Sequence, residues 1–153
     1  MVSIFIVIFV LVKIYKIMTQ EEKDILYTDL CARLPFNHLV EYKGEEYNVL
    51  GIAHGRLVLC KPFMSYTLNE YPLVEEVKPY LFPLSSMSEE QKQEYTYIVN
   101  YISPDDTDNW KEGEFIYVEQ LTQLMHFYHI NHLDYMGLIP MGLAIDATGK
   151  NIY

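Results

Sequence analysis

Disulfide chemistry has little to work with in this sequence. Its only cysteines, Cys31 and Cys60, fall in a helical and a strand-like pattern, without CxxC spacing and without a cationic cluster beside either. A stapled secreted framework is excluded, a reducing compartment fits, and both thiols read as small buried hydrophobes. Positive charge is also scarce: 11 Lys and Arg stand against 21 Asp and Glu, a formal charge of −10. That balance repels phosphate backbones, so no direct nucleic-acid binding is expected; a basic partner or simply a solvated acidic surface fits it better. The phosphate-cradling patterns GxGxxG and GxxxxGK[ST] are missing, as is HExxH, so no nucleotide fold, cofactor or zinc-protease chemistry is implied.

A long hydrophobic run is wanting as well. Val2 to Val12 is apolar apart from Ser3, but Lys13 and Lys16 interrupt it before Met18. A spanning helix needs about 20 apolar residues, and a secretory signal carries its positive charge ahead of the run rather than behind it. Two readings remain for residues 1–17: a weak membrane anchor whose trailing lysines hold the body at the cytoplasmic face, or translated sequence upstream of a start at Met18. The second is preferred, because Thr19-Gln20-Glu21-Glu22 has capping-box spacing and opens a helix cleanly. Without Lys13 and Lys16 the charge moves from −10 to −12.

What is present is enough for one core: half of the 153 residues are apolar, and residues 18–153 read as a single domain. A helix is predicted from Thr19 to Leu34, with Leu26, Leu30 and Leu34 as its apolar stripe and Pro35 as its stop. Strands follow near 39–43, 46–53 and 56–63, separated by turns at Lys43-Gly44-Glu45 and His54-Gly55-Arg56. A further extended piece, 73–80, should pair with them before Pro79 and Pro83 impose an irregular path. Ser88-Glu89-Glu90-Gln91 opens a second helix, with Tyr95, Ile98, Val99 and Ile102 as its buried face. An acidic loop at 103–114 carries Trp110, a third helix runs from Glu114 to Asn131, and a short strand lies at 143–146. Helix, antiparallel strands, two helices and a terminal strand make an α+β fold with an antiparallel sheet of three or four strands.

Side chains able to carry chemistry cluster at His126, His129, His132 and Asp134. Successive histidines are about 60° apart around a helix, and the outer two about 9 Å apart along it, so three do not converge on one ion and no metal site is assigned. If Tyr117, Leu121, Leu124, Met125 and Tyr128 face the core, His129 and His132 sit at its edge and His126 faces solvent. His132 could then meet the negative end of the helix dipole. The 14 tyrosines supply apolar area with a polar tip. Tyr95, Tyr117 and Tyr128 suit helix cores, whereas Tyr66, Tyr71, Tyr80, Tyr135 and Tyr153 lie in irregular stretches and are expected to be partly exposed. Trp110, His132, Asp134 and Tyr135 are the candidate binding residues; no catalytic residue is assigned.

Three passages, DLCARLP at 29–35, KPYLFPLSSMSEEQ at 78–91 and HLDYMGLIPMGLAIDA at 132–147, resemble a family of small proteins encoded by phages and prophages of gut anaerobic bacteria. The likeness spans most of 18–150; residues 1–17 depart from it. The family has no established activity, so the resemblance implies a bacterial cytoplasm and an accessory role, and no functional residue carries over. The expected function is a non-catalytic accessory binding protein that occupies a host protein or sequesters a ligand, acting against host defence. A narrower form is a nucleic-acid mimic built on Asp105, Asp106, Asp108, Glu112, Glu114 and Glu119. The alternatives are a small enzyme with His132 as base and Asp134 as its orienting partner, and a membrane-tethered accessory protein anchored through residues 2–17.

Overall fold

The computed structural model describes residues 17–62, 69–100 and 116–153. The apolar run at 2–12, Tyr66, Ile102, the acidic loop with Trp110 and the start of the third helix at Glu114 lie outside the described residues.

Helix α1, Gln20–Arg33, opens on the expected capping box. Thr19 Oγ1 accepts the Glu22 N–H at 3.2 Å, and Glu22 Oε2 accepts the Thr19 N–H at 2.8 Å, satisfying two of the donors that a helix start leaves unpaired. Leu34-Pro35-Phe36 continues as one tight turn, and Asn37 adopts φ 55° to release the chain into the sheet. Leu26 and Leu30 are fully buried as expected, and Leu34 packs against the same core. The helix also buries Asp29 and Arg33 completely, which the apolar stripe does not foretell.

The sheet contains β1 (Leu39–Tyr42), β2 (Glu45–Ala53), β3 (Arg56–Cys60), β4 (Val77–Leu81) and β5 (Ile145–Asp146), in the order β3-β2-β1-β4-β5. Both predicted turns are present. Lys43 and Gly44 have φ 54° and 79°, and His54 and Gly55 have φ 52° and 73°, the paired positive φ values of two-residue turns whose twist matches a hairpin. Two expectations need correction. The piece at 73–80 begins with a turn at Val74–Glu76 and becomes a strand only at Val77; Pro79 lies within that strand, opposite Val40. Proline is tolerated there because β5 pairs only with Tyr80 and Leu81 on the other side, so no ladder bond is asked of position 79 from that side. The sheet is also larger than expected: β5 joins it parallel to β4 and makes a fifth strand.

One face of the sheet carries Val40, Tyr42, Val49, Leu57, Leu59, Val77 and Leu81, packed beneath Leu26 and Leu30 of α1 together with Leu138 and Leu143. Each such leucine contributes about 1.5–3 kcal/mol on burial. On the opposite face a smaller cluster forms where Leu39, Tyr80 and Ala147 meet Ile145 and Ile152. Helix α2, Glu89–Asn100, uses Ser88 and Gln91 as its reciprocal cap and packs on α3, Ile116–Ile130, through Ile98, Tyr95, Phe127, Leu124 and Tyr128. The predicted faces hold at Tyr95, Ile98, Leu124 and Tyr128 and fail at two positions. Val99 is 40% and Leu121 58% exposed, whereas Phe127 is almost fully buried. Among the described residues α2 packs chiefly on α3, along a Tyr95–Ile98 line. α3 is held between α2 and Phe36, whose ring lies 5.4 Å from His126 and 5.6 Å from His129; its buried side therefore centres on Phe127 and takes in His129. Among the described residues no helix is long and apolar enough to cross a membrane.

Leu30→Ala should lower the unfolding free energy by about 2–5 kcal/mol, read as a lower urea midpoint at unchanged slope.

Candidate functional site: a buried histidine cluster beside a cleft

His132 owes its position to the end of α3. The Leu133 N–H bonds to Tyr128 O at 2.9 Å and the His132 N–H to His129 O at 3.2 Å, the bond pair of a Schellman cap, and His132 takes the left-handed position with φ 51°. Glycine usually fills that position, and a histidine held there costs on the order of 1 kcal/mol. The turn is then sewn to the sheet: Phe82 N–H donates to His132 O at 2.9 Å and Asp134 N–H to Phe82 O at 2.8 Å. His132 thus meets the helix terminus as expected, but it is buried rather than at a solvent-facing edge.

Around it the fold gathers charge and rings from every part of the chain. Arg33 Nε and Nη2 grip Asp29 at 2.8 and 2.9 Å, and Nη2 also donates to Leu133 O at 2.8 Å. Tyr135 lies under the guanidinium at 5.3 Å, stacks on Tyr128 at 5.1 Å and places its hydroxyl 3.1 Å from His129 Nε2. His38, fully buried, faces His132 at 5.8 Å between ring centres. Tyr153 stacks on the other ring of that pair, 3.6 Å from His132 and inclined by 10°. Its phenol donates to Tyr80 O at 2.9 Å, accepts from the Leu39 N–H at 3.4 Å and lies 3.5 Å from His38 Nδ1. With the phenol proton given to Tyr80, His38 faces the phenol oxygen through a protonated Nδ1, which leaves Nε2 as its lone-pair nitrogen.

Three buried nitrogens in this cluster, Arg33 Nη1, His38 Nε2 and His132 Nδ1, have no hydrogen-bond partner among the described residues. Burial, reinforced by the Arg33 charge, holds all three buried histidines neutral: His38 lies well below the ordinary histidine value, His129 is lowered, and His132 is pushed down to about 4. Burial drives the Tyr153 phenol the other way, well above the ordinary range.

The predicted candidates separate. His132 and Tyr135 stand in the cluster. Asp134 is buried beside them, yet its carboxylate is spent on the backbone, accepting the N–H groups of Leu138 at 2.7 Å and Ile139 at 2.9 Å to start the one-turn helix α4, Leu138–Met141. His132 Nδ1 receives no bond from it. Trp110 lies outside the described residues, as do Asp105, Asp106, Asp108, Glu112 and Glu114. Tyr71 and Tyr153 are partly exposed as expected, whereas Tyr80 is buried beneath the 147–153 segment. Among the described residues no three His, Cys, Asp or Glu side chains converge to hold a metal ion.

Next to the cluster a cleft of about 660 Å³ opens on the face of the sheet opposite α1. Leu39, Glu46 and Asn48 form its floor, Asn37 and Pro62 flank it, and Asn151, Ile152 and Tyr153 form a wall. Apart from Tyr153, sequence reasoning passed over these residues as a site. The alternation of Glu46 and Asn48 with Tyr47 and Val49 does place polar side chains away from the core, but nothing in the spacing shows that the chain returns at 151–153 to wall them in. No protein-family model, no curated protein and no solved structure matches this chain.

Two outcomes follow. Asp29→Ala strands a buried guanidinium and should cost about 3–5 kcal/mol, while Asp29→Leu with Arg33→Met should recover most of that loss in chemical denaturation. For the histidines, a pKa lower in the folded than in the unfolded state means that the unfolded chain binds more protons between the two values. Their contribution is complete above pH 6.5 and is lost as pH falls towards the folded value, about 4 for His132. His132→Phe should therefore flatten the stability profile between pH 6.5 and 4, measured by urea unfolding across that range.

Proposed function

We propose that this protein is a non-catalytic accessory binding protein that sequesters a small ligand in the cleft on its open sheet face. The observation that carries the reading is the cleft itself, whose size suits a small molecule and whose lining mixes three amides with apolar surface from Leu39, Ile152 and Tyr153. Among the described residues that line it, Glu46 is the one acidic side chain and there is no lysine, arginine or histidine. An anionic ligand would find no countercharge there. A neutral or cationic molecule rich in N–H or O–H donors, with one apolar face, meets acceptors on Asn37, Glu46, Asn48 and Asn151. The resemblance of 29–35, 78–91 and 132–147 to phage and prophage proteins supports a setting in the bacterial host cytoplasm, where removing such a ligand would act against the host.

The enzyme reading has less support, because Asp134 is engaged by two backbone donors and does not orient His132. A host-protein partner draws support from Tyr97, Leu121 and Ile130, all more than half exposed on α2 and α3. Native mass spectrometry of the protein recovered from the bacterial host discriminates the readings. A bound molecule below about 1 kDa, retained by the wild type and lost from an Asn48→Leu variant, is expected. A stoichiometric host protein retained equally by both would overturn ligand sequestration in favour of the protein partner.

A further inference from the structure

We propose that residues 147–153 form a proton-sensitive strap over the cleft, latched by the packing of Tyr153 on His132 and His38 and released when those histidines are protonated. The inference rests on the reading of the cleft as the functional site and adds how access to it is governed.

The strap is attached at two places. At its start the Ala147 N–H donates to Leu81 O at 2.8 Å. At its far end Tyr153 is inserted between the sheet and the cluster, bonded to Tyr80 O and Leu39 N and stacked on His132. Between them the strap's own bonds are local: Thr148 N–H to the Asp146 side chain at Oδ1 and Lys150 N–H to Ala147 O. Ile152 adds an apolar contact with the Leu39 and Tyr80 cluster, and Lys150 Nζ lies 5.8 Å from the Tyr80 ring centre. Because Asn151, Ile152 and Tyr153 are also the wall of the cleft, loosening Tyr153 opens the cleft.

The surroundings make that latch sensitive to protons. From α1 the cluster faces Asp29 and Arg33, from α3 His126 and His129, from the following turn His132, Asp134 and Tyr135, and from β4 Tyr80, with Glu41 and Glu46 beyond it. Asp29 is held by Arg33 and Asp134 by backbone N–H groups. Among the described residues, both carboxylate side chains packed directly in the cluster are thus already engaged. A proton on His38 arrives at Nε2, a fully buried nitrogen without an acceptor, beside a guanidinium that already repels it. Withdrawal of Tyr153 is the shortest route by which water reaches both imidazoles, since its ring covers His132 and its hydroxyl covers His38. Solvating the new charge then favours the open strap.

The test follows the ¹³C-labelled methyl groups of Ile152 and Ala147 by NMR in the full chain as pH is lowered from 7.5 to 4, with Leu26 and Leu30 as reporters of the core. Ile152 should move to its random-coil position as pH falls from 6.5 towards 4, before the Leu26 and Leu30 signals change. Tyr153→Phe, which removes the bond to Tyr80 O, should show the released Ile152 signal already at pH 7.5. His132→Phe keeps a stacking ring without its titration and should shift release to lower pH by at least half a unit. Simultaneous loss of the strap and core signals, or an unaltered release profile in His132→Phe, would overturn the latch. Neither readout requires a ligand, so failure of the latch is distinguishable from failure of the cleft to bind one.

Discussion

The Asp29–Arg33 pair is the interaction on which the rest of this fold depends. Both side chains are fully buried on a helix whose other inward residues are leucines, and the guanidinium reaches past its own carboxylate to the carbonyl of Leu133. That bond joins the first helix to the turn after α3, the turn that is itself bridged to Phe82 and that holds His132 in place. A leucine pair would fill the same space at less electrostatic cost. What it would not supply is a fixed positive charge that reinforces burial in holding three neighbouring histidines neutral and a planar donor that sets the register between distant segments.

Much of the architecture was legible in the chain. Thr19 to Glu22 and Ser88 to Gln91 marked both helix starts, because capping boxes are local and their spacing is visible in sequence. Lys43-Gly44 and His54-Gly55 marked the hairpins for the same reason. The parallel β5 was not legible as a sheet member, since a two-residue strand is recruited only by the neighbour it meets. The buried faces of α2 and α3 were misread at Val99 and Leu121: periodicity gives the existence of an apolar arc, but the number and position of the packing partners decide where its centre lies.

The site was legible in composition and not in arrangement. Counting from the sequence finds His126, His129, His132 and Asp134 close together, and the structure disperses them. His126 is exposed and Asp134 serves the backbone. His129 bonds Tyr135, while His132 stacks on a tyrosine that lies 21 positions later in the chain. The residues that complete the cluster, Arg33 and His38, come from the opposite end of the sequence and stood there only as part of a helix end and the approach to a strand. Long-range pairing of this kind leaves no local signature, and the polar cleft floor on β2 became meaningful only once the 151–153 wall was in place.

The separation along the chain between the partners has a further consequence, in time rather than in space. Arg33 meets Leu133 a hundred residues downstream, and Leu39 meets Tyr153 still later. During synthesis the first helix and the β1–β3 meander emerge long before the segments that cover their charged and polar edge. Until residue 133 has left the ribosome, Asp29 and Arg33 have no carbonyl to complete their shell and must stay hydrated, holding α1 off its final seat. Closure of such distant contacts is slow, so the nascent chain should hold a half-assembled sheet until the segment 133–153 has emerged.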